Sequence, residues 1–219
     1  MTVTSPKVVF FDAVGTLFGV RGSVGLAYAE VARKYGVKVP AQSLDAAFVK
    51  AFKQAGSPAF PGVPARDVPA REYQWWKQVA QSTFNGAGAL IKFEDFDAFF
   101  AELFRYFAGA DPWVLYPETV PTLQKLADRG IPLGVLSNFD SRIYGVLRSL
   151  ELADYFQSVT ISTEAGSAKP DAKIFQVALQ KHNCTPAEAW HIGDSLEEDY
   201  RAANAVGLRG IWLDRKRNA

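Results

Sequence analysis

Five short apolar runs, each followed by a polar residue or glycine, limit most strongly how this chain can fold. They are Val8 to Phe11, Ile131 to Leu136, Val159 to Ile161, Ala189 to Ile192 and Gly210 to Leu213. Continuous apolar runs of this length fit strands buried on both faces. After about Asp111 they are interleaved with helical patterns: Thr119 to Asp128, Arg142 to Leu150, Asp171 to Lys181 and Leu196 to Ala205. Pro121 in the first turn and Gly130 just past the end mark the first of these as a helix. Strands alternating with helices of about ten residues predict a parallel sheet covered on both sides.

The stretch from Gly19 to about Pro112 carries no strand pattern. Val24, Ala27, Tyr28 and Val31 recur at helical spacing, as do Leu44, Ala47, Phe48 and Ala51, and Tyr73, Trp76, Val79 and Ala80. Phe96, Phe99, Phe100, Leu103, Phe104 and Phe107 form a further stripe, and such stripes are the buried faces of amphipathic helices. Gly56 to Pro69 is rich in proline and glycine and predicts a loop. The expected architecture is α/β: a Rossmann-like parallel sheet core of residues 1–18 and 112–219, with an all-helical cap domain of residues 19–111 inserted after the first strand.

Composition narrows the function classes. Lysine and arginine number 24 against 23 aspartates and glutamates, so no charge excess favours nucleic acid or an acidic membrane. No apolar stretch approaches the ~20 residues of a membrane span, and no secretory signal pattern opens the sequence. One cysteine, Cys184, cannot form an internal disulfide, and two histidines disfavour a histidine-built zinc site. The expectation is a soluble cytoplasmic protein whose metal, if it has one, is held by oxygen.

In an open parallel sheet, ligands bind beyond the carboxyl ends of the strands. Asp12 follows the first run, within Asp12-Ala13-Val14-Gly15-Thr16-Leu17. Ser137-Asn138 follows the second, Lys169-Pro170 lies a few residues past the third, and Gly193-Asp194-Ser195 with Asp199 follows the fourth. One sheet edge therefore collects three carboxylates, a lysine and small hydrogen-bonding side chains. A carboxylate can attack phosphorus and split one displacement into two. Mg²⁺ takes oxygen ligands from one or two carboxylates and substrate phosphate, and three acids with no cation would raise one another's pKa.

These four segments, in order across the whole chain, resemble motifs one to four of the haloacid dehalogenase (HAD) superfamily, and the helical insert resembles that family's type-one cap. The resemblance implies Asp12 as nucleophile and a Mg²⁺ ion held by Asp12, the Val14 carbonyl and Asp194, with Asp199 holding a metal-bound water or orienting Lys169. It places Ser137, Thr16 and Lys169 at the phosphate of a small phosphorylated substrate, with Asn138 and Gly15 as further substrate contacts; Arg21, at the hinge just past motif one, is expected as a substrate contact or a solvated hinge residue. Most phosphatases of the family carry a second aspartate two residues after the nucleophile, where this chain has Val14. That acid protonates the leaving alcohol and activates water, and valine does neither.

The expected activity is thus a phosphoric monoester hydrolase that is slow or favours good leaving groups. Dehalogenase-like or phosphonatase-like hydrolysis, or a binding module without turnover, are the alternatives. The chain also looks similar to the rhythmically expressed gene-2-like branch, in which that motif-one aspartate is often missing. His191 is expected as a satisfied core or edge histidine, Glu197 and Glu198 as a solvated first helical turn, Trp75 as partly exposed or packed on the domain junction, and Cys184 as inert.

Overall fold

The computed structural model describes residues 5–215. Seven strands and nine α-helices follow one another as β1 (Val8–Phe11), β2 (Phe18–Val20), α1 (Val24–Lys34), α2 (Ala41–Ala55), α3 (Val68–Gly86), α4 (Phe96–Tyr106), β3 (Trp113–Leu115), α5 (Thr119–Ala127), β4 (Leu133–Ser137), α6 (Ile143–Ser149), β5 (Ser158–Ile161), α7 (Ser162–Ala165), α8 (Ala172–Lys181), β6 (Ala189–Gly193), α9 (Ala202–Ala205) and β7 (Arg209–Trp212) among the described residues.

Five strands form one sheet in the order β5-β4-β1-β6-β7, and each neighbouring pair is parallel. β1 is central, with Phe11 opposite Val135 on one side and Ile192 on the other. All four of its residues are buried, as its uninterrupted apolar run requires. On one face Val8 and Phe10 pack with Leu136, Ile174, Phe175, Ala178 and Leu208. This is the α/β fold expected from the alternation of runs and helices.

The chain divides into two compact units. One comprises the described residues before Val20, Pro58–Ala65 and those from Leu115 onward; the other comprises Val20–Ser57 and Arg66–Val114. The second is all-helical apart from strand ends. Its core is aromatic: Phe84, Phe99 and Phe100 are fully or almost fully buried, and Phe99 meets Tyr35, Phe84, Phe93 and Phe96 ring to ring. Two of its helices, α1 and α4, begin at side-chain oxygens that cap them. Ser23 accepts from Leu26 N–H at the start of α1, and Asp95 accepts from Ala98 N–H at the start of α4.

Several details depart from the sequence pattern. β2 and β3 pair in a separate two-stranded sheet, each too short for its alternation to register. Pro58–Ala65 belongs with the sheet unit rather than the helical one, where the Ser162 hydroxyl donates to the Pro58 carbonyl at 2.8 Å. The helix expected over Leu196 to Ala205 opens as a π-helical turn, Leu196–Arg201, before α9. β4 starts at Leu133 rather than Ile131 because Pro132 has no N–H to donate; its carbonyl still accepts from Val9.

Candidate active site

The carboxyl ends of β1, β4 and β6 bring the acids together. Asp12 continues from β1, its N–H bonded to the Ile192 carbonyl of β6 at 2.9 Å. Its carboxylate is buried and accepts from Lys169 Nζ at 2.7 Å. Lys169 is 3 % exposed and donates also to Asp199. Burial opposes its charge, but Asp12 and Asp199 outweigh that and raise its pKa above the ordinary lysine value.

Asp199 lies in the π-helical turn and is 1 % exposed. One oxygen takes Lys169 and His191 Nε2, the latter at 2.8 Å; the other takes the Ser195 N–H at 2.9 Å. Burial works to raise this acid, and the Lys169 charge with the His191 bond overcomes it, holding the carboxyl well below the usual range. Gly193 makes the fit possible: a Cβ there would stand 2.1 Å from the Asp199 carboxyl carbon.

Asp194 differs. Its side chain keeps solvent-accessible surface, yet neighbouring protein withholds part of its water. That partial desolvation, with the charges of Asp12 and Asp199, raises its pKa to about 6. Asp12, Asp194 and Asp199 each offer an oxygen within 4.8 Å of the others. The motif-one turn wraps closely around Asp194. Gly15 has φ +91°, and a Cβ on it would stand 2.5 Å from that carboxylate, while the buried Thr16 hydroxyl donates to Asp194 at 3.5 Å. Three carboxylates thus face one ammonium, a donor set that suits a hard divalent cation.

The other predicted residues have defined places. Ser137 is buried at the end of β4. Asn138 is spent on positioning: its amide oxygen accepts from the Lys169 N–H at 2.7 Å, and its NH₂ donates to the Lys169 carbonyl at 2.9 Å and to Glu198 at 3.1 Å. Val14 is half-buried in the turn. Arg21 lies in the helical unit, where its guanidinium donates to the carbonyls of Asp111 and Trp113. Trp75 packs edge-on against Phe52 and Trp76 in that same unit. Burial raises the Cys184 thiol above its ordinary value, which agrees with an inert cysteine.

Sequence reasoning missed His191 as part of the site. It is fully buried, and its Nδ1 has no hydrogen-bond partner among the described residues. Burial lowers its pKa, and because the ionised Asp199 carboxylate can only accept, Nε2–H is the donor. The one available signal was its place on β6 two residues before Gly193, the residue whose missing side chain admits Asp199.

A family model described as haloacid dehalogenase-like hydrolase matches residues 6–207. The chain belongs to that family. Among curated relatives of this HAD-like hydrolase, haloacid dehalogenase-like hydrolase domain-containing protein 3 of Bos taurus is 36 % identical over 208 residues, covering 94 % of this chain and 81 % of the relative. The rhythmically expressed gene 2 protein of Drosophila melanogaster is 30 % identical over 218 residues, covering 96 % and 84 %, in keeping with the branch the sequence resembles. Among solved structures, YfnB of Bacillus subtilis, crystallised bound to magnesium, superposes with a TM-score of 0.72 at 18 % identity, covering 97 % of this chain and 92 % of that one. At that identity the likeness speaks for the fold.

Proposed function

We propose that this HAD-like hydrolase is a Mg²⁺-dependent phosphatase that transfers the phosphoryl group of a small phosphorylated metabolite to Asp12 and then to water. The observation that carries the reading is Asp194: a third carboxylate beside Asp12 and Asp199, with Lys169 the one ammonium paired with these acids among the described residues, is costly unless a divalent cation binds. Dehalogenation on carbon has no use for that acid, which would repel an anionic haloacid.

Asp12, the Val14 carbonyl and Asp194 would hold the ion, since both Asp199 oxygens already accept from protein donors. When bound, the cation supplies charge neutralisation at the transferring phosphoryl oxygens. The chain's own residues do the rest. Asp12 Oδ attacks phosphorus as the bond to the leaving oxygen breaks, and Lys169 and the Ser137 and Thr16 hydroxyls stabilise the added charge. Asp199, itself fixed by His191 and Ser195, aims Lys169 at Asp12. With valine at position 14 the leaving oxygen takes its proton from solvent, which favours aryl and acyl phosphates.

Hydrolysis of an aryl phosphate should require Mg²⁺ and vanish in Asp12→Asn. Val14→Asp should raise turnover, within the roughly 10²–10⁴-fold that general acid–base catalysis contributes. Halide release from a 2-haloacid without metal, with no phosphatase activity, would replace this reading by the dehalogenase one.

A further inference from the structure

The end of β7 and the residues just past it fasten both turns that carry the acids. Leu213 N–H donates to the Gly193 carbonyl at 2.8 Å, and Trp212 Nε1–H donates to the Asp194 carbonyl at 3.0 Å. Arg215 takes hold of the other turn: its Nε–H donates to the Gly15 carbonyl and one terminal N–H to the Thr16 carbonyl at 2.6 Å. Its second terminal nitrogen pairs with Glu118 at 2.7 Å. The guanidinium plane lies over the Tyr116 ring, 3.3 Å from its centroid. Gly19 leaves room for that ring, since a Cβ there would stand 2.8 Å from the Tyr116 hydroxyl.

A guanidinium bonded along two edges and stacked on an aromatic face has one orientation, which a lysine cannot reproduce. Two successive carbonyls held by one planar group fix the backbone on either side of Thr16. That matters because Gly15, at φ +91°, is the most permissive joint of the turn. The same turn carries the Val14 carbonyl and the Thr16 hydroxyl that reaches Asp194.

We propose that Arg215 is a positioning residue that holds the motif-one turn in its cation-ready shape, while Trp212 holds the facing Asp194 turn. Nothing in the family match, which ends at residue 207, assigns a role to this segment. The proposal deepens the phosphatase reading through its metal arm but also has an arm that stands without it.

The experiment compares the full chain with Arg215→Gln, Arg215→Lys and Glu118→Gln. Hydrogen exchange of the Asp12–Leu17 peptide is followed in metal-free protein by mass spectrometry, and Mg²⁺ alone is titrated by calorimetry. Arg215→Gln should speed exchange in that peptide about tenfold, as loss of its two hydrogen bonds implies. It should also weaken Mg²⁺ binding about 10- to 100-fold, as loss of an outer support of a metal site does. Arg215→Lys should show a smaller change of the same kind. Glu118→Gln, which keeps a side-chain oxygen to accept from Arg215 and removes only the charge of a half-exposed pair, should leave both readings at the wild-type value. The proposal is overturned if exchange in Arg215→Gln matches wild type or rises equally throughout the sheet unit. It is also overturned if Arg215→Lys is indistinguishable from wild type, which decides the matter should the glutamine variant not fold. A wild-type protein that binds no Mg²⁺ would remove the phosphatase reading and leave the exchange arm to judge Arg215.

Discussion

Asp199 accepts from a lysine, a histidine and a backbone amide, while Asp194 accepts from the Thr16 hydroxyl at 3.5 Å. The two acids, five residues apart, therefore titrate in opposite directions. Asp199 is held ionised, and Asp194 is raised from its ordinary 3.8 to about 6. The raised group binds protons more readily folded than unfolded, so metal-free stability falls as pH rises from about 4 to about 6 through this residue. Asp194→Asn should accordingly melt higher than wild type near neutral pH without metal, and the difference should shrink towards zero below about pH 4. Thermal melts across pH check this; a constant difference would mean that Asp194 is not crowded. His191→Leu should cost about 1–3 kcal/mol in denaturant unfolding, because the buried Asp199 loses a donor, whereas an unchanged midpoint would contradict that bond. Asp12 and Asp194 were legible from sequence because each directly follows a strand of a parallel sheet, and Ser137 because it ends one; Lys169, which lies past β5 and α7, was legible through the resemblance of its motif. His191 and Arg215 were not. The partners of Arg215 lie about two hundred residues away, and a histidine flanked by Trp190 and Ile192 carries the same signature as any core residue.

At the scale of elements, the turn after β1 depends on the absence of a side chain. Gly15→Ala would place a methyl 2.5 Å from the Asp194 carboxylate at φ +91°. It should destabilise the protein by about 1–3 kcal/mol, as forced left-handed backbone does, and should abolish Mg²⁺ binding in a calorimetric titration. Wild-type affinity in that variant would show that the turn does not shape the cation site. The π-helical turn Leu196–Arg201 places Asp199 beneath Gly193. Its acids, with Leu196 and Tyr200 four residues apart, read as an ordinary helix, because a single wide turn leaves no trace in hydrophobic periodicity. The paired strands β2 and β3 escaped for a related reason: three residues are too few to show an alternation.

Across the whole molecule, two cores are built from different chemistry: mostly aliphatic residues around a parallel sheet, and aromatic rings meeting largely edge to face among four helices. The acids of the site all belong to the first. Phe99→Ala should therefore lower stability by about 3–5 kcal/mol, as truncating a fully buried phenylalanine does, while Mg²⁺ affinity stays at its wild-type value in calorimetry. Periodicity made both cores readable in advance, since each stripe is long and regular. It could not show that Pro58–Ala65, inside the helical stretch of the sequence, packs with the sheet unit, because that placement rests on single contacts such as Ser162 with Pro58. The chemistry of the molecule stands or falls on Asp12 as the atom that receives phosphorus. Acid-quenching the protein during turnover of an aryl phosphate and mapping the label by mass spectrometry tests this most directly. A hydroxylamine-labile phosphate on the Asp12 peptide, formed only with Mg²⁺ present, is the predicted result; turnover with that peptide unlabelled, or labelling that ignores the metal, would contradict it.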